Sequence, residues 1–501
     1  MKQTLVLGGP GCGKTTKLLE ILDEIFSSGI KPHEVAFLTF TRRAAGEAIE
    51  RSCKKFDFEP DQLPWFRTLH SYAFRALGIA SKELMTNEHY RVLENVLGIK
   101  FDVEMSENAI FCDQSKWGRA LALEQLARGT QRPLSAVCED HFFKEREAQF
   151  VADGLANYKQ AHKLLDFTDL LERYADGDGE TLHHKVVFVD EAQDLSALQW
   201  RCVERITRGA SHLYIAGDDD QAIFSWAGAD VDHFLALGGE KIVLPVSHRL
   251  PRNIWQVAQN VASMIGARFP KEWEPRAEGG IVERVNGLEH LNLDTGSWMI
   301  LARTRSQLRL ARKHMRRHGL PYTLDGRSSV NNPDVRAILA WEELRRGGEV
   351  EATAAKALWL RVSSDHKTPA NVLGIAKEGV YTFDRLVAEN GLQAASRDAD
   401  WMSALSLRRA DVEYYREIKK RGESLVDEPR LTLATIHTVK GGEADNVALF
   451  FDMGPMAFAD FKRNPDNELR VLYVAVSRAR EALWCIYPTT LHGYPIKGVI
   501  V

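Results

Sequence analysis

Cysteine is scarce in this sequence, with six residues among 501, and no two of them stand in a C-x-x-C pair. Neither a zinc cluster nor a disulfide framework is therefore indicated. A reducing compartment inside the cell, the cytoplasm, is expected. The six positions are Cys12, Cys53, Cys112, Cys138, Cys202 and Cys485.

Long apolar runs are missing as well. The first run, Thr4–Leu7, is too short for the apolar region of a signal peptide and leads into a glycine-rich turn. No run is long enough to cross a bilayer, so we expect a soluble protein without a membrane partner.

The chain also has no excess of positive charge, since it contains 65 Lys and Arg residues and 69 Asp and Glu residues, which gives a formal net charge of −4. This balance excludes a strongly basic protein but not a nucleic-acid partner, because phosphate contacts need only a local basic cluster. Hydrophobic residues make up 45% of the chain, as in ordinary globular proteins. The length suggests about three domains.

Short apolar runs bounded by turns recur along the chain, a pattern typical of parallel strands covered on both faces. Helical patterns such as Lys17–Phe26 and Arg43–Phe56 separate many of them, which predicts an α/β architecture. The predicted strands are Thr4–Leu7, Val35–Thr39, Val186–Val189, Leu213–Ala216, Trp298–Ala302, Leu431–Thr435, Val447–Phe451 and Leu483–Tyr487.

The predicted strands fall into two groups, one before about residue 235 and one after about residue 240. Each group is interrupted by a charged, amphipathic stretch that lacks such runs, at 76–180 and at 333–428. We interpret both stretches as mostly helical insertions.

The segment Gly8–Thr15 matches the phosphate-binding pattern G-x-x-x-x-G-K-[ST] and lies between a predicted strand and a predicted helix. Its glycines allow backbone N–H groups to surround phosphate oxygens, and the helix N-terminus favours an anion. Lys14 is expected to reach the β- and γ-phosphates of ATP, and Thr15 to bind Mg²⁺. The predicted nucleotide contacts are Gly9, Pro10, Gly11, Cys12, Gly13, Lys14, Thr15 and Thr16.

The segment Val186–Gln193 delivers two acids at the end of an apolar strand. Asp190 is expected to hold Mg²⁺, and Glu191 to polarise the attacking water. Acids in this position also cap the following helix, which is the competing interpretation.

Two arginines are candidates for stabilising the transferred phosphoryl group, Arg249 in Ser247-His-Arg249 and Arg478 in Val476-Ser-Arg-Ala479. A lone arginine is usually a solvated surface residue, so their assignment depends on the resemblance described next.

The ordered set of motifs resembles the UvrD/Rep branch of the superfamily 1 helicases, over most of the chain. Thr39–Ala45 resembles the family's T-F-T-x-K-A-A segment, Arg67–Ser71 its T-F-H segment, Asp166–Leu171 its D-F-D-D-L element and Asp190–Asp194 its Walker B variant. Further along the chain, Gly217–Gly228 resembles G-D-x-x-Q-x-I-Y-x-W-R-G, Thr435–Glu443 resembles T-x-H-x-x-K-G-x-E, and Glu468–Ala479 resembles E-x-R-L-x-Y-V-x-x-T-R-A.

The resemblance implies two RecA-like P-loop domains with parallel sheets, each carrying a mostly helical inserted subdomain, with ATP in the cleft between them. The first domain would comprise 1–75 and 181–238, with 76–180 inserted. The second would comprise 239–332 and 429–501, with 333–428 as a short insertion.

The resemblance also implies roles for individual residues. Gln221 would sense the γ-phosphate and the attacking water, and Arg249 and Arg478 would contact the γ-phosphate from the second domain. His248 stands where the family often has a tyrosine that stacks on the base, and Glu443 would meet the ribose. The nucleic-acid path would include Phe40, Thr68, His70, Phe224, Trp226 and His437.

Competing interpretations remain for several of these residues. Phe40 and Phe224 are equally consistent with core packing, and His70 with a structural histidine. The family's adenine-reading segment has no counterpart ahead of the P-loop, so the choice among NTPs stays open.

Together these features predict an ATP- and Mg²⁺-dependent DNA helicase that moves on single-stranded DNA, and the resemblance implies movement in the 3′-to-5′ direction. We expect a monomer that acts on duplex junctions alongside replication or repair proteins, and the compact size suggests a phage-encoded version. The alternatives are an NTP-gated single-strand-binding or loading factor that does not unwind, and an RNA translocase of the same superfamily.

Overall fold

Parallel strands form the framework of the protein, as the apolar runs predict. The computed structural model describes residues 1–101, 103–105, 110–112, 115–277, 279–368, 374–495 and 499. The strands are, in chain order, β1 (Lys2–Leu7), β2 (Val35–Thr39), β3 (Phe66–Thr68), β4 (Val103–Met105), β5 (Ile110–Cys112), β6 (Val186–Val189), β7 (His212–Gly217), β8 (Glu240–Val243), β9 (Val246–Pro251), β10 (Glu274–Arg276), β11 (Ile281–Val285), β12 (Trp298–Ala302), β13 (Tyr322–Leu324), β14 (Arg327–Ser328), β15 (Glu349–Glu351), β16 (Val380–Thr382), β17 (Leu431–Thr435), β18 (Ala444–Phe450) and β19 (Ala479–Ile486).

Helices connect these strands and form most of the two predicted insertions. They are α1 (Lys14–Ser27), α2 (Arg42–Phe56), α3 (Leu69–Ala76), α4 (Asn87–Leu97), α5 (Lys116–Thr130), α6 (Leu134–Asp140), α7 (Glu145–His162), α8 (Phe167–Asp176), α9 (Ala197–Ile206), α10 (Val231–Leu235), α11 (Arg252–Ala262), α12 (Arg305–Arg317), α13 (Pro333–Arg345), α14 (Ala352–Trp359), α15 (Phe383–Asn390), α16 (Trp401–Ala404), α17 (Arg409–Arg421), α18 (Pro455–Arg463) and α19 (Pro465–Val476).

The first sheet has the order β3-β2-β6-β7-β1-β8, and all its strands run parallel. Its strands are almost continuously buried, because helices cover both faces. The loops after β1, β7 and β6 therefore leave the same edge from neighbouring strands. This edge is where ligands bind in open parallel sheets.

The second sheet has the order β11-β19-β18-β12-β17-β13-β14. Its strands are parallel except for β14, which forms an antiparallel hairpin with β13. The eight runs predicted as strands all coincide with strands of these two sheets. The predicted mixture of parallel sheets and helices is confirmed.

Two compact units are distinguished by their internal contacts. Unit 1 comprises 1–279, 459–477 and 498–501, and unit 2 comprises 280–458 and 478–497. The boundary predicted at 238/239 lies just before β8, which pairs with β1 in the first sheet through Thr4–Leu7. The chain therefore continues in unit 1 well past the predicted boundary.

The insertions are helical with small strand pairs. The stretch 76–180 contains α4 to α8 and the antiparallel pair β4–β5, and the stretch 333–428 contains α13 to α17 and the pair β15–β16. Both pairs were missed by the sequence analysis, because three-residue strands are too short to show a pattern. Among the described residues, no helix has both the length and the apolar character that a membrane crossing requires.

Candidate nucleotide and nucleic-acid sites

The P-loop turns between β1 and α1 through two glycines in left-handed backbone conformations, Gly11 (φ 73°) and Gly13 (φ 80°). A side chain on Gly11 would also collide with Cβ of Arg249. Gly13 is the residue before α1 and has no side chain to cap it, so the first N–H groups of α1 are available to an anion. The loop thus has the geometry of a phosphate site.

Lys14, Thr15 and Asp190 meet at this loop. The Lys14 ammonium donates to the carbonyl of Gly8 at 3.0 Å, and the Thr15 hydroxyl donates to Oδ2 of Asp190 at 2.8 Å. Burial, and next the charge of Glu191, raise the pKa of Asp190 to about 6. A hydroxyl and a buried carboxylate fit Mg²⁺, which usually binds one or two carboxylates together with phosphate oxygens and water.

Glu191 has a strained backbone, since its φ of 53° is left-handed and it is not a glycine. Its carboxylate accepts a hydrogen bond of 2.6 Å from the side-chain amide of Gln193. Gln193 is fully buried, and its Oε1 accepts from the backbone N–H of Asp218 at 3.1 Å. Gln193 therefore ties the loop after β6 to the loop after β7, a role that the sequence analysis did not assign.

Gln221, the predicted γ-phosphate sensor, lies on the loop after β7. Its side-chain amide donates to Oδ2 of Asp218 at 2.8 Å. Asp218 is completely buried, and although burial raises its pKa, the charges of Lys271 and Lys14 outweigh burial and lower it. Gln221 is thus oriented by a carboxylate that contacts the Lys271 ammonium and whose charged form is further favoured by Lys14.

The segment Ser247–Arg249 packs directly on the P-loop within unit 1. The Ser247 hydroxyl donates to the carbonyl of Pro10 at 2.6 Å, and the backbone N–H of His248 donates to the carbonyl of Gly11 at 3.0 Å. His248 is exposed beside the loop. The resemblance predicts that Arg249 belongs to the second domain. In the structure, the strand that carries Arg249, β9, belongs to unit 1.

A buried ion cluster supports the loop after β7. It consists of Asp218, Asp219, Asp220, Arg268 and Lys271, here called the Lys271 cluster. The Lys271 ammonium contacts all three aspartates, at 2.9 Å from Asp218 and 3.0 Å from Asp220, and Arg268 forms a two-pronged pair with Asp220 at 2.8 and 2.6 Å. Burial opposes the charged form of Lys271, but the three carboxylates outweigh it and raise its pKa.

The Lys271 cluster was missed because its cations are some 50 residues from the aspartates and lie outside every motif. Its other partner, Arg470 on α19, lies within one of the motif segments. The Arg470 guanidinium donates to the carbonyl of Asp219 at 2.9 Å. A signal was nevertheless present in the three consecutive aspartates, since buried carboxylates require partners.

The remaining P-loop residues differ in exposure. Cys12 is buried, and burial raises the pKa of its thiol to about 11, so it is an unreactive thiol. Thr16 is exposed on the first turn of α1. The ring of Trp273 covers Gly9 so closely that a Cβ there would collide with it. The close packing explains why the loop has glycine at this position.

Two predicted nucleotide contacts, Arg478 and Glu443, lie in unit 2. Arg478 is 1% exposed and donates to the carbonyl of Gly442 at 3.1 Å. Glu443 is exposed and lies 3.5 Å from the guanidinium of Arg480. Both residues are therefore at the start of β18 and β19, as neighbours in the second sheet, and their contact with a nucleotide stays a prediction.

Three aromatic residues of the predicted nucleic-acid path form a series in unit 1. Phe40 is buried and stacks on Phe224 at a centroid distance of 5.5 Å, and Phe224 lies 6.3 Å from Trp226. Trp226 is 41% exposed. The series therefore runs from the core to the surface, and its outer member, Trp226, offers an accessible ring.

The polar members of the predicted path have structural partners. Thr68 is buried and caps α3 by accepting from the backbone N–H of Ser71 at 3.2 Å, and His70 lies edge-on to Phe167. In unit 2, burial, with the charges of Arg303 and Lys440, lowers the pKa of His437 to about 3, so it is neutral. Contacts of Thr68, His70 and His437 with nucleic acid stay predictions.

Comparison with known domains gives two matches. The sequence model of the UvrD/REP helicase N-terminal domain matches residues 1–241, and that of the UvrD-like helicase C-terminal domain matches residues 415–490. The first match contains the P-loop and both loops that face it. The second contains α19 and Arg478.

Individual relatives are more distant. An ATP-dependent DNA helicase PcrA from Staphylococcus epidermidis (strain ATCC 35984) is 24% identical over 381 positions, which cover 67% of this chain and 51% of the relative. An ATP-dependent DNA helicase PcrA from Staphylococcus aureus (strain Mu50) is 22% identical over 614 positions, covering 98% of this chain and 82% of the relative. The chain thus matches about half the length of the first relative.

Proposed function

This chain belongs to the UvrD/Rep helicase family, since the two domain matches together cover more than half of the chain. We therefore propose that the protein is an ATP-dependent DNA helicase. It would move along single-stranded DNA in the 3′-to-5′ direction and separate strands at duplex junctions, in DNA replication or repair. The observation that carries the proposal is the hydrogen bond of 2.8 Å between Thr15 and Asp190, which joins the two halves of the nucleotide site.

The residues of unit 1 account for the binding of ATP. The N–H groups at the start of α1 and the Lys14 ammonium bind phosphate oxygens, while Ser247 fixes the loop through the carbonyl of Pro10. His248, exposed beside Gly11, is placed to contact the base. Thr15 and Asp190 would hold Mg²⁺, which neutralises phosphate charge when bound.

The hydrolytic step requires a group that orients water against the γ-phosphate. Glu191 performs this role in the proposal, because its carboxylate is anchored by Gln193 at the end of β6. Gln221 lies on the adjacent loop and is coupled to it through Asp218 and Gln193. Arg249, packed against Gly11, is placed to stabilise the charge that develops during phosphoryl transfer.

The aromatic series supports movement on a single strand. A base stacked on Trp226 would contact a ring that leads through Phe224 to Phe40 at the end of β2. Stacking tolerates any base, as a protein that travels along DNA requires. The segment with Trp226 follows Gln221 directly, so nucleotide state and strand contact share one short piece of chain.

The experiment that tests the proposal is strand displacement with ATP and Mg²⁺ on duplexes that carry a 3′ or a 5′ single-stranded tail. Displacement of the 3′-tailed substrate alone is expected. ATP turnover that responds to single strands without displacement would favour a loading factor, and a stronger response to RNA than to DNA would favour an RNA translocase.

A further inference from the structure

Helix α6 ends in the inserted helical stretch of unit 1 with a Schellman motif. The backbone N–H of Phe142 donates to the carbonyl of Glu139 at 3.1 Å, and that of Phe143 donates to the carbonyl of Cys138 at 2.8 Å. Phe142 occupies the position at which the chain turns left-handed, with φ of 50°. Glycine or asparagine usually stands there, because a Cβ is disfavoured.

The two phenylalanines of this turn point to different environments. Phe143 packs against the buried residues of α5 and α6, as the residue after the turn in such motifs usually does. Phe142 is 84% exposed, so its ring contributes almost nothing to the core. Core packing therefore does not explain why a phenylalanine occupies this strained, solvent-exposed position.

Charged groups lie near the exposed ring and its turn. The guanidinium of Arg463, the last residue of α18, lies 5.6 Å from the centroid of the Phe142 ring. Arg119 donates to the carbonyl of His141, and Arg132 pairs with Asp140 at 2.7 Å. His141 faces a further acid, Asp460. Three exposed arginines, Arg119, Arg132 and Arg463, therefore lie near this turn, together with the acids Asp140 and Asp460.

A cleft of about 460 Å³ lies against the segment that carries Trp226. Its walls include Ser225 and Gly228, on either side of Trp226, and also Arg132 and Asn464. Arg132 is paired with Asp140, two residues before Phe142, and Asn464 follows Arg463 directly. The lining of this cleft within unit 1 thus includes chain neighbours of Trp226 and of Arg463, together with the acids Asp230, Asp232 and Asp466.

We propose that Phe142 and Arg463 form a second contact for single-stranded nucleic acid, in which a base stacks on the Phe142 ring and a phosphate pairs with the Arg463 guanidinium. The strand would run from Trp226 to Phe142. Aromatic faces combined with cations are the usual means of binding single strands without sequence preference. The inference rests on the proposed function, because it extends the path on which Trp226 lies.

The test uses the whole protein and a fluorescent oligothymidylate series of increasing length, with binding measured by anisotropy. Phe142→Gly removes the ring and suits the left-handed backbone, so its melting temperature should be no lower than that of the wild type. Its dissociation constant for the longer oligonucleotides should rise roughly 5- to 150-fold. Short oligonucleotides, which occupy the Trp226 end alone, should bind as they do to the wild type.

Two further variants make the result specific. Phe142→Trp keeps an aromatic face, so this variant should bind the longer strands with an affinity near that of the wild type. Phe150→Ala removes another half-exposed ring of the same insertion, which packs on Trp117, and should leave binding unchanged.

The outcomes separate this inference from the proposed function. Wild-type affinity in Phe142→Gly, or equal loss in Phe142→Gly and Phe142→Trp, would overturn the second contact while leaving the helicase proposal standing. Failure of the wild-type protein itself to bind any oligonucleotide would instead contradict the proposed function.

Discussion

The Lys271 ammonium lies 2.9 Å from Oδ1 of Asp218, and both side chains are fully buried. Asp218 in turn accepts from Gln221, so a lysine outside every recognised motif holds the predicted γ-phosphate sensor in place. Lys271→Met would leave three buried carboxylates short of a partner. We expect it to lower the free energy of unfolding by about 3–5 kcal/mol, measured by chemical denaturation.

Loss of stability alone would not show that Lys271 positions the site. Lys159→Met is a matched control, because Lys159 pairs with Asp166 and Asp169 in a buried cluster of the inserted helices. Both variants should be less stable, but the kcat for ATP per folded molecule should fall in Lys271→Met alone. Equal kcat in the two variants would make the Lys271 cluster purely structural.

The P-loop lysine gives a second prediction. Lys14→Ala removes the ammonium that lies among the loop carbonyls, and turnover of ATP should fall at least roughly 100-fold. Binding of single-stranded DNA should persist. Lys17→Ala, one turn further along α1, removes a surface ion pair with Glu20 and serves as the control with normal turnover. Undiminished turnover in Lys14→Ala would contradict the site assignment.

Trp226 provides a third prediction. Trp226→Ala should raise the concentration of single-stranded DNA that gives half-maximal stimulation of ATP hydrolysis by roughly 5- to 150-fold, because a stacking face is lost. The measurement is steady-state turnover over a DNA titration. Trp226→Phe should recover much of the effect. Unaltered stimulation in Trp226→Ala would place this ring among the structural aromatics.

The inserted helices contain a group whose ionisation changes near neutral pH. Burial raises the pKa of Glu124 to about 7 from an ordinary 4.5, against the opposing charge of Arg128. The folded protein therefore keeps a proton that the unfolded chain releases in this window. The bound proton makes its full contribution to the free energy of unfolding below pH 4.5, and this contribution is lost as the pH rises through 7. The contribution is on the order of 3 kcal/mol.

Glu124→Gln removes that dependence. Denaturation of both proteins at about pH 5 and about pH 8 should show that the variant gains stability relative to the wild type at the higher pH. Asp169 of the same cluster is shifted in the same direction, so comparison with the variant isolates the part due to Glu124. A difference that does not change with pH would show that Glu124 is ionised throughout.

Much of the framework was predictable because it depends on local pattern. The eight predicted strands are continuous apolar runs, and Gly8–Thr15 and Asp190–Glu191 follow two of them, which places them at one sheet edge. The membership of β8 in the first sheet was not predictable, because nothing local distinguishes Glu240–Val243 from the strands that follow it. Pairing partners depend on the whole chain rather than on the run itself.

The motif residues of the candidate site were predicted from the sequence, but the residues that hold them in place were not. Gln193, Lys271 and Arg268 act through contacts that span between 25 and 52 residues, and their spacing shows no periodicity. Phe142 is a similar case, since its exposure follows from the turn that ends α6. Such residues are recognised only when the chain is folded.

The most direct test of the proposed function is ATP hydrolysis by the purified protein with Mg²⁺, with and without single-stranded DNA. We expect slow turnover alone and a marked, saturable increase on adding single strands, because Gln221 and Trp226 lie on one short segment after β7. Turnover that is the same with and without nucleic acid, in a folded protein that binds both ATP and DNA, would contradict it.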